Sequence, residues 1–198
     1  YAIRSLINAT EINHEIIANL SKASLAGNKY ASFILAFLTE KTSKTQQDIN
    51  TAIELYQRAA DQGNPKGYNS IGRILYNGEI LKSDYTKAIE CFKKAAEQGD
   101  SVAYSNLGIA YLFGQGCQKD ISKAIEFNIK CSELGCYLGY QNIGIYYEEG
   151  EYVEKDYAKS IDYYKKAADL GSSLACYKLG LFYEKGEHIE KDLNKAFR

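Results

Sequence analysis

Apolar side chains recur along this chain at helical intervals, and glycines break the pattern at regular steps. Gly67, Ile71 and Leu75 fall at i, i+4 and i+8, one stripe of an α-helix. Gly78 follows, and a glycine just past the last apolar position closes a helix by adopting the left-handed conformation. A short turn comes next, with Leu81 as its one apolar residue. The same slot later holds Cys117, Val153 and Ile189, so the turn is expected to be pinned inward. Asp84 then stands where an N-cap belongs, its carboxylate able to accept the free N–H groups of a first turn. Tyr85, Ala88, Ile89, Phe92, Ala95 and Ala96 make a wide apolar helical face, and Gly99 ends it. The pattern predicts a helix hairpin.

That hairpin repeats. Gly27, Gly63, Gly99, Gly135 and Gly171 are 36 residues apart, as are Gly72, Gly108, Gly144 and Gly180. Gly78, Gly114, Gly150 and Gly186 keep the step, and so do Asp48, Asp84, Asp120, Asp156 and Asp192. Four registers with one period mark a repeat array. The reading is a single array over 1–198: a leading helix (1–27), a degenerate repeat (28–63), full repeats (64–99, 100–135, 136–171) and a truncated one (172–198). The degenerate repeat has Ala36 and Thr42 in glycine slots and a looser connection, and the leading helix carries Ile16, Ile17, Leu20 and Ala23. Without a methionine, and stopping at Phe197-Arg198 inside an expected helix, the chain reads as a fragment of a longer protein. Mid-helix glycine costs about 1 kcal/mol against alanine, so the Gly72 register implies close helix approach, with Ala88, Ala124, Ser160 and Ala196 as the facing small surface. Lys87, Lys123, Lys159 and Lys195 run against helix electrostatics, since a cation is disfavoured in a first turn.

Composition excludes more than it selects. At 198 residues and 45% hydrophobic, the chain can bury a core. The 24 basic and 25 acidic side chains balance, so no nucleic-acid partner is expected. No apolar run approaches the ~20 residues of a membrane span, so no membrane insertion is expected. The sequons at Asn8 and Asn19 are about what chance supplies, and the cytoplasm is favoured only slightly over a lumenal or secreted setting. Cys91, Cys117, Cys131, Cys136 and Cys176 form no CxxC pair. Cys131 and Cys136 either pair across the intervening turn or leave a small core residue at 131 and an exposed thiol at 136. The two histidines, His14 and His188, lie near opposite ends of the sequence, with no metal-ligand spacing and no phosphate-binding loop. No catalytic, cofactor or metal site is expected, and the chain does not read as an enzyme.

The residues Ile71-Gly72, Leu75, Gly78, Asp84, Lys87-Ala88 and Lys94-Ala95-Ala96-Glu97-Gln98-Gly99 resemble the Sel-1-like repeat, a relative of the tetratricopeptide repeat. Ala103, Leu107-Gly108, Tyr111, Gly114, Gly116, Asp120 and Lys123-Ala124 are closer still, and Ile143-Gly144, Tyr147 and Gly150 continue the likeness. The resemblance implies an all-α, right-handed α-solenoid of stacked antiparallel helix hairpins, with first helices lining a concave face. It also implies adaptor or assembly-platform roles, as in endoplasmic-reticulum quality control, cell-wall regulation, bacterial signalling or host contact. Some relatives were linked to β-lactam hydrolysis, but the chain has neither S-x-x-K nor K-T-G. Cysteine-rich relatives pair cysteines eight positions apart; Cys176 fits half of that pattern, opposite Ala168.

If the tetratricopeptide pattern holds, the groove is lined by Phe33, Phe37, Arg73, Ile109, Leu112, Phe113, Gln141, Ile145, Glu148, Tyr177 and Leu181. These would suit a helix or extended peptide with apolar anchors. The competing reading packs the same side chains between neighbouring first helices. The recurring tyrosines, Tyr68, Tyr104 and Tyr140 in one slot and Tyr111, Tyr147 and Tyr183 in another, read as packing. The function expected is an adaptor that binds a protein or peptide in its groove. The alternatives are a regulatory arm of an enzyme whose catalytic domain lies elsewhere, and a spacer that self-associates through its ends.

Overall fold

The computed structural model describes residues 14–196; the Asn8 sequon and Phe197-Arg198 lie outside them. The fold is an all-α solenoid of helix hairpins with a 36-residue period. Among the described residues there are eleven helices. They fall into two compact units, 1–100 and 101–198. The first holds α1 (His14–Leu25), α2 (Lys29–Thr42), α3 (Gln46–Asp61), α4 (Lys66–Asn77) and α5 (Tyr85–Glu97). The second holds α6 (Ser101–Phe113), α7 (Ile121–Glu133), α8 (Tyr137–Glu149), α9 (Tyr157–Asp169), α10 (Ser173–Lys185) and α11 (Leu193–Ala196). Within each unit every helix packs on the next in sequence, so hairpins pair internally and then stack.

Local chemistry sets the hairpin ends. Asp84, Asp120 and Asp156 accept the backbone N–H of Lys87, Lys123 and Lys159 at 3.1, 3.0 and 2.9 Å. Those bonds hold the three carboxyls below the ordinary aspartate range. Asp48 is different. The looser connection lets the helix start earlier, at Gln46, so Thr45 becomes the N-cap and Asp48 closes a capping box from the third position. The first-turn lysines also find their reason. Lys87, Lys123, Lys159 and Lys195 return to their own cap aspartates at 3.1, 3.5, 3.2 and 3.2 Å. Three of them also lie over tyrosine rings, Lys123 on Tyr111, Lys159 on Tyr147 and Lys195 on Tyr183, at 5.4, 5.2 and 5.4 Å. An adjacent carboxylate and a ring face offset the adverse helix dipole.

The mid-helix glycines do mark close approach, with a refinement. A Cβ on Gly144 would stand 2.8 Å from the Tyr164 ring. One on Gly108 would meet Asn128 Nδ2 at 2.5 Å and the Ala124 carbonyl at 3.1 Å. The crowding atoms are therefore the large side chain one turn beyond the small residue, and that residue's backbone. Ser160, the exception to alanine, donates its hydroxyl to the Gly144 carbonyl at 2.8 Å, so a polar residue fits the close approach. The recurrent tyrosines pack on rings: Tyr111 lies 5.4 Å from Phe127, and Tyr147 stacks on Tyr163 at 5.8 Å. Leu81 and Val153 turn inward against core clusters, as their slot predicts.

One cysteine expectation is overturned. Cys136 is not an exposed thiol: it is 9% exposed, and Cys131 is 0%. The turn that reverses the chain between α7 and α8 points both side chains inward.

Candidate functional site

In the first unit the C-terminal turn of α2 and the facing side of α4 enclose a pocket of about 300 Å³. Glu40 is its polar centre. The carboxylate accepts the Tyr56 hydroxyl at 2.7 Å on one oxygen and the Arg73 guanidinium on the other. The Glu40 side chain is 10% exposed, whereas that of Arg73 is 43% exposed. Burial, then the Glu40 charge, push the Tyr56 hydroxyl well above the ordinary tyrosine value, so it stays a donor. Ile49, Ile74 and Ile80 supply apolar wall.

The second unit builds the same arrangement 108 residues on, three periods later. Glu148 accepts the Tyr164 hydroxyl and the Lys178 ammonium, the latter at 3.0 Å. Burial, then the Glu148 hydrogen bond and charge, raise the Tyr164 hydroxyl in the same way. The pocket measures about 310 Å³, with Leu181, Phe182 and Lys185 on its walls. His188 lies flat on Tyr157 at 3.7 Å between ring centres and closes one side. In both pockets the cation comes from the next first helix, yet from different slots. What recurs is a carboxylate held by a buried phenol, with a more exposed cation beside it.

The expected groove residues divide. Arg73 joins Glu40, and Glu148 and Leu181 meet in one pocket. Phe113 is 57% exposed, as its odd slot predicts, and Tyr177 is 62% exposed on α10. Gln141 is half-buried and accepts the Ser172 hydroxyl at 2.7 Å, so it ties one hairpin to the next. Phe33 packs on Tyr56 at 5.3 Å and, with Phe37, covers the first unit's core. Ile145 covers the Tyr164 cluster, and Ile109 is half-buried. Leu112 is a correction: it is 4% exposed and packs with Ala124 and Tyr146. Its slot faces the second helix of its own hairpin, which is also why Glu40 and Glu148, in that slot, meet Tyr56 and Tyr164.

Sequence reasoning missed Glu40, Tyr56, Tyr164 and Lys178. The available signal was a Glu and a Tyr sixteen residues apart, recurring after three periods. Where Leu112 replaces the glutamate, Asn128 replaces the tyrosine. Asn128 is fully buried, and its amide group donates to the Ala124 carbonyl at 2.8 Å and Tyr146 at 3.2 Å while accepting from Asn142 at 2.9 Å.

Matches to the Sel1 repeat family model cover residues 31–64, 65–100, 101–136, 131–172 and 173–198. The chain belongs to the Sel1 repeat family. A Sel1 repeat protein from Oxalobacter formigenes is 27% identical with TM-score 0.77, over 98% of this chain and 79% of that one. A protective antigen present in uropathogenic Escherichia coli strains, with an SLR fold, is 31% identical with TM-score 0.71. That match covers 88% of this chain but 38% of the antigen, so the chain spans well under half the antigen's length. An immunity protein from Pseudomonas aeruginosa, 22% identical, shares the fold with TM-score 0.70 over 99% of this chain and 76% of its own. No curated protein matches the chain. Sel1 repeat proteins generally act as protein-interaction scaffolds, and the repeat is a structural, generally non-enzymatic fold. Among the described residues no helix is long and apolar enough to cross a membrane, and no group of His, Cys, Asp and Glu is placed to hold a metal ion.

Proposed function

We propose that this Sel1 repeat chain is an adaptor that binds a protein or peptide along the first helices of its hairpins. The observation that carries the reading is the recurrence of one pocket design in each unit, Glu40 with Arg73 and Glu148 with Lys178. A structural ion pair alone needs no cavity around it. Here each pair borders an open pocket of about 300 Å³ with an aliphatic wall, room for a large side chain of a partner. The ligand that fits is a helix or extended segment with apolar anchors flanked by charges, the anchors entering the pockets and the charges meeting the exposed Arg73 and the half-buried Lys178. Phe113 adds an exposed aromatic contact on the first helix of the second unit, α6.

Affinity capture from the source cell tests this, using Arg73→Ala, Phe113→Ala double-substituted protein whose fold is verified by circular dichroism. Lys93→Ala on α5, an exposed second-helix position, is the control. The proposal expects a partner held by wild type and control and lost from the double variant. A partner retained by the double variant would move the site off the first helices.

A further inference from the structure

The turn between α7 and α8 departs from every equivalent turn in the chain, and in two places at once. At each such turn the backbone N–H of the sixth residue donates to the carbonyl of the first. The pairs are Ala23 and Asn28, Ala59 and Asn64, Ala95 and Asp100, Cys131 and Cys136, and Ala167 and Ser172. The first residue is alanine everywhere except Cys131. The sixth is a polar residue, Asn28, Asn64, Asp100 or Ser172, everywhere except Cys136. Asn28 and Ser172 accept backbone N–H groups of the helices they start, whereas Cys136 makes no side-chain cap bond. The sequence thus gives up a cap and enlarges a core position at the same turn.

What it gains is two thiols in contact. The 3.2 Å bond from Cys136 N to the Cys131 carbonyl brings the two residues together, and both side chains are buried. The helices close tightly here as well. Gly139, in a slot shared with Gly67 and held by Ala31, Ala103 and Ala175 elsewhere, lets α8 approach until a Cβ would stand 2.6 Å from the Ser132 amide nitrogen, much as one on Gly67 would stand 2.9 Å from the Ala60 amide nitrogen. We propose that Cys131 and Cys136 are a redox modification site, forming a reversible disulfide that staples the α7–α8 junction when the folded protein meets a small-molecule disulfide.

The chemistry balances with such a reagent. Cys136, the less buried thiol, loses its proton and its sulfur attacks one sulfur of the reagent, expelling the first thiolate and leaving a mixed disulfide. The Cys131 thiol then gives up its proton, and its sulfur attacks the Cys136 sulfur and expels the second thiolate. The two cysteines lose two electrons, the reagent gains them, and the two thiol protons end on the two released thiols. The order of attack fits the site, because contact with Cys136 and burial both push the Cys131 thiol up, so it stays protonated until its partner has reacted.

The test treats folded, fully reduced protein with oxidised glutathione, then alkylates under denaturing conditions and digests with trypsin. Cleavage after Lys130 and Lys155 releases one peptide carrying both cysteines and no others. The proposal expects that peptide to be lighter by two hydrogens, unalkylated and free of glutathione, and to recover both alkylatable thiols after mild reduction. Cys131→Ala, which restores the residue of the other turns, should instead retain a stable glutathione adduct at Cys136. Two alkylated cysteines in wild type, or a persistent glutathione adduct at Cys136 in wild type, would overturn the proposal.

Discussion

Gly108 lies against Asn128 so closely that a Cβ on the glycine would stand 2.5 Å from the Asn128 amide nitrogen. The amide cannot easily retreat, because it already bonds the Ala124 carbonyl and Tyr146. Gly108→Val should therefore wedge α6 from α7 and destabilise by roughly 1–3 kcal/mol through overpacking. Gly108→Ala should also lower the melting temperature, although alanine in an open helix would gain about 1 kcal/mol over glycine. Thermal melts by circular dichroism check both. Unchanged melts would remove the packing reason for the whole glycine register.

Buried phenols make the fold sensitive to alkali. Burial and the glutamate charges raise the Tyr56 and Tyr164 hydroxyls far above the ordinary 10.0. Burial pushes Tyr146 up to about 12. In the unfolded chain these groups lose protons near 10, while the folded chain keeps them. The stabilisation is thus fully present below pH ~10 and is lost as pH rises beyond it. Melting temperature should fall across that range, and Tyr164→Phe should make the fall shallower. At neutral pH the same substitution removes one donor from Glu148 and should cost about 1–2 kcal/mol. A wild-type alkaline decline matched by Tyr164→Phe would show that the Glu148 pocket does not hold its phenol as described.

The hairpins were legible because the signals that make them are local. A glycine that ends a helix and an aspartate that starts one act within a turn of themselves, so the registers of Gly78 and Asp84 read directly. The lysine register was visible but unexplained, since Tyr111, Tyr147 and Tyr183 stand twelve residues before their lysines, across the hairpin. The pockets were harder to read. Glu40 needs Tyr56 from the other helix of its hairpin and Arg73 from the next one, and no local pattern couples three helices. Leu112 was misplaced for a related reason: helical spacing gives a face, but which neighbour covers that face is a property of the stack.

The aspartate caps predict the opposite pH limb. Backbone N–H bonds from Lys87, Lys123 and Lys159 hold Asp84, Asp120 and Asp156 below the ordinary 3.8. Folded values below the unfolded one mean that the stabilisation is present above 3.8 and is lost as pH falls through the depressed folded values. Asparagine caps a helix as well as aspartate does but carries no charge. The triple variant Asp84→Asn, Asp120→Asn, Asp156→Asn should therefore keep its helices at neutral pH and lose less melting temperature on acidification than wild type. Parallel acid slopes in the two proteins would place the acid sensitivity elsewhere.

Leu112 and Phe113 are neighbours in sequence, and α6 gives them opposite fates. Leu112 is 4% exposed and fills the space between Ala124 and Tyr146, while Phe113 is 57% exposed. Leu112→Ala should leave a cavity and cost about 2–5 kcal/mol. Phe113→Ala removes a larger side chain, yet should stay within about 0.5 kcal/mol of wild type, because little of it is taken from water by folding. Denaturant melts on the two variants decide it. If Phe113→Ala were as damaging as Leu112→Ala, the ring would be part of the packed structure, and its place on a partner-binding face would be lost with it. If it is silent in stability, any binding lost by the same variant is lost at the surface.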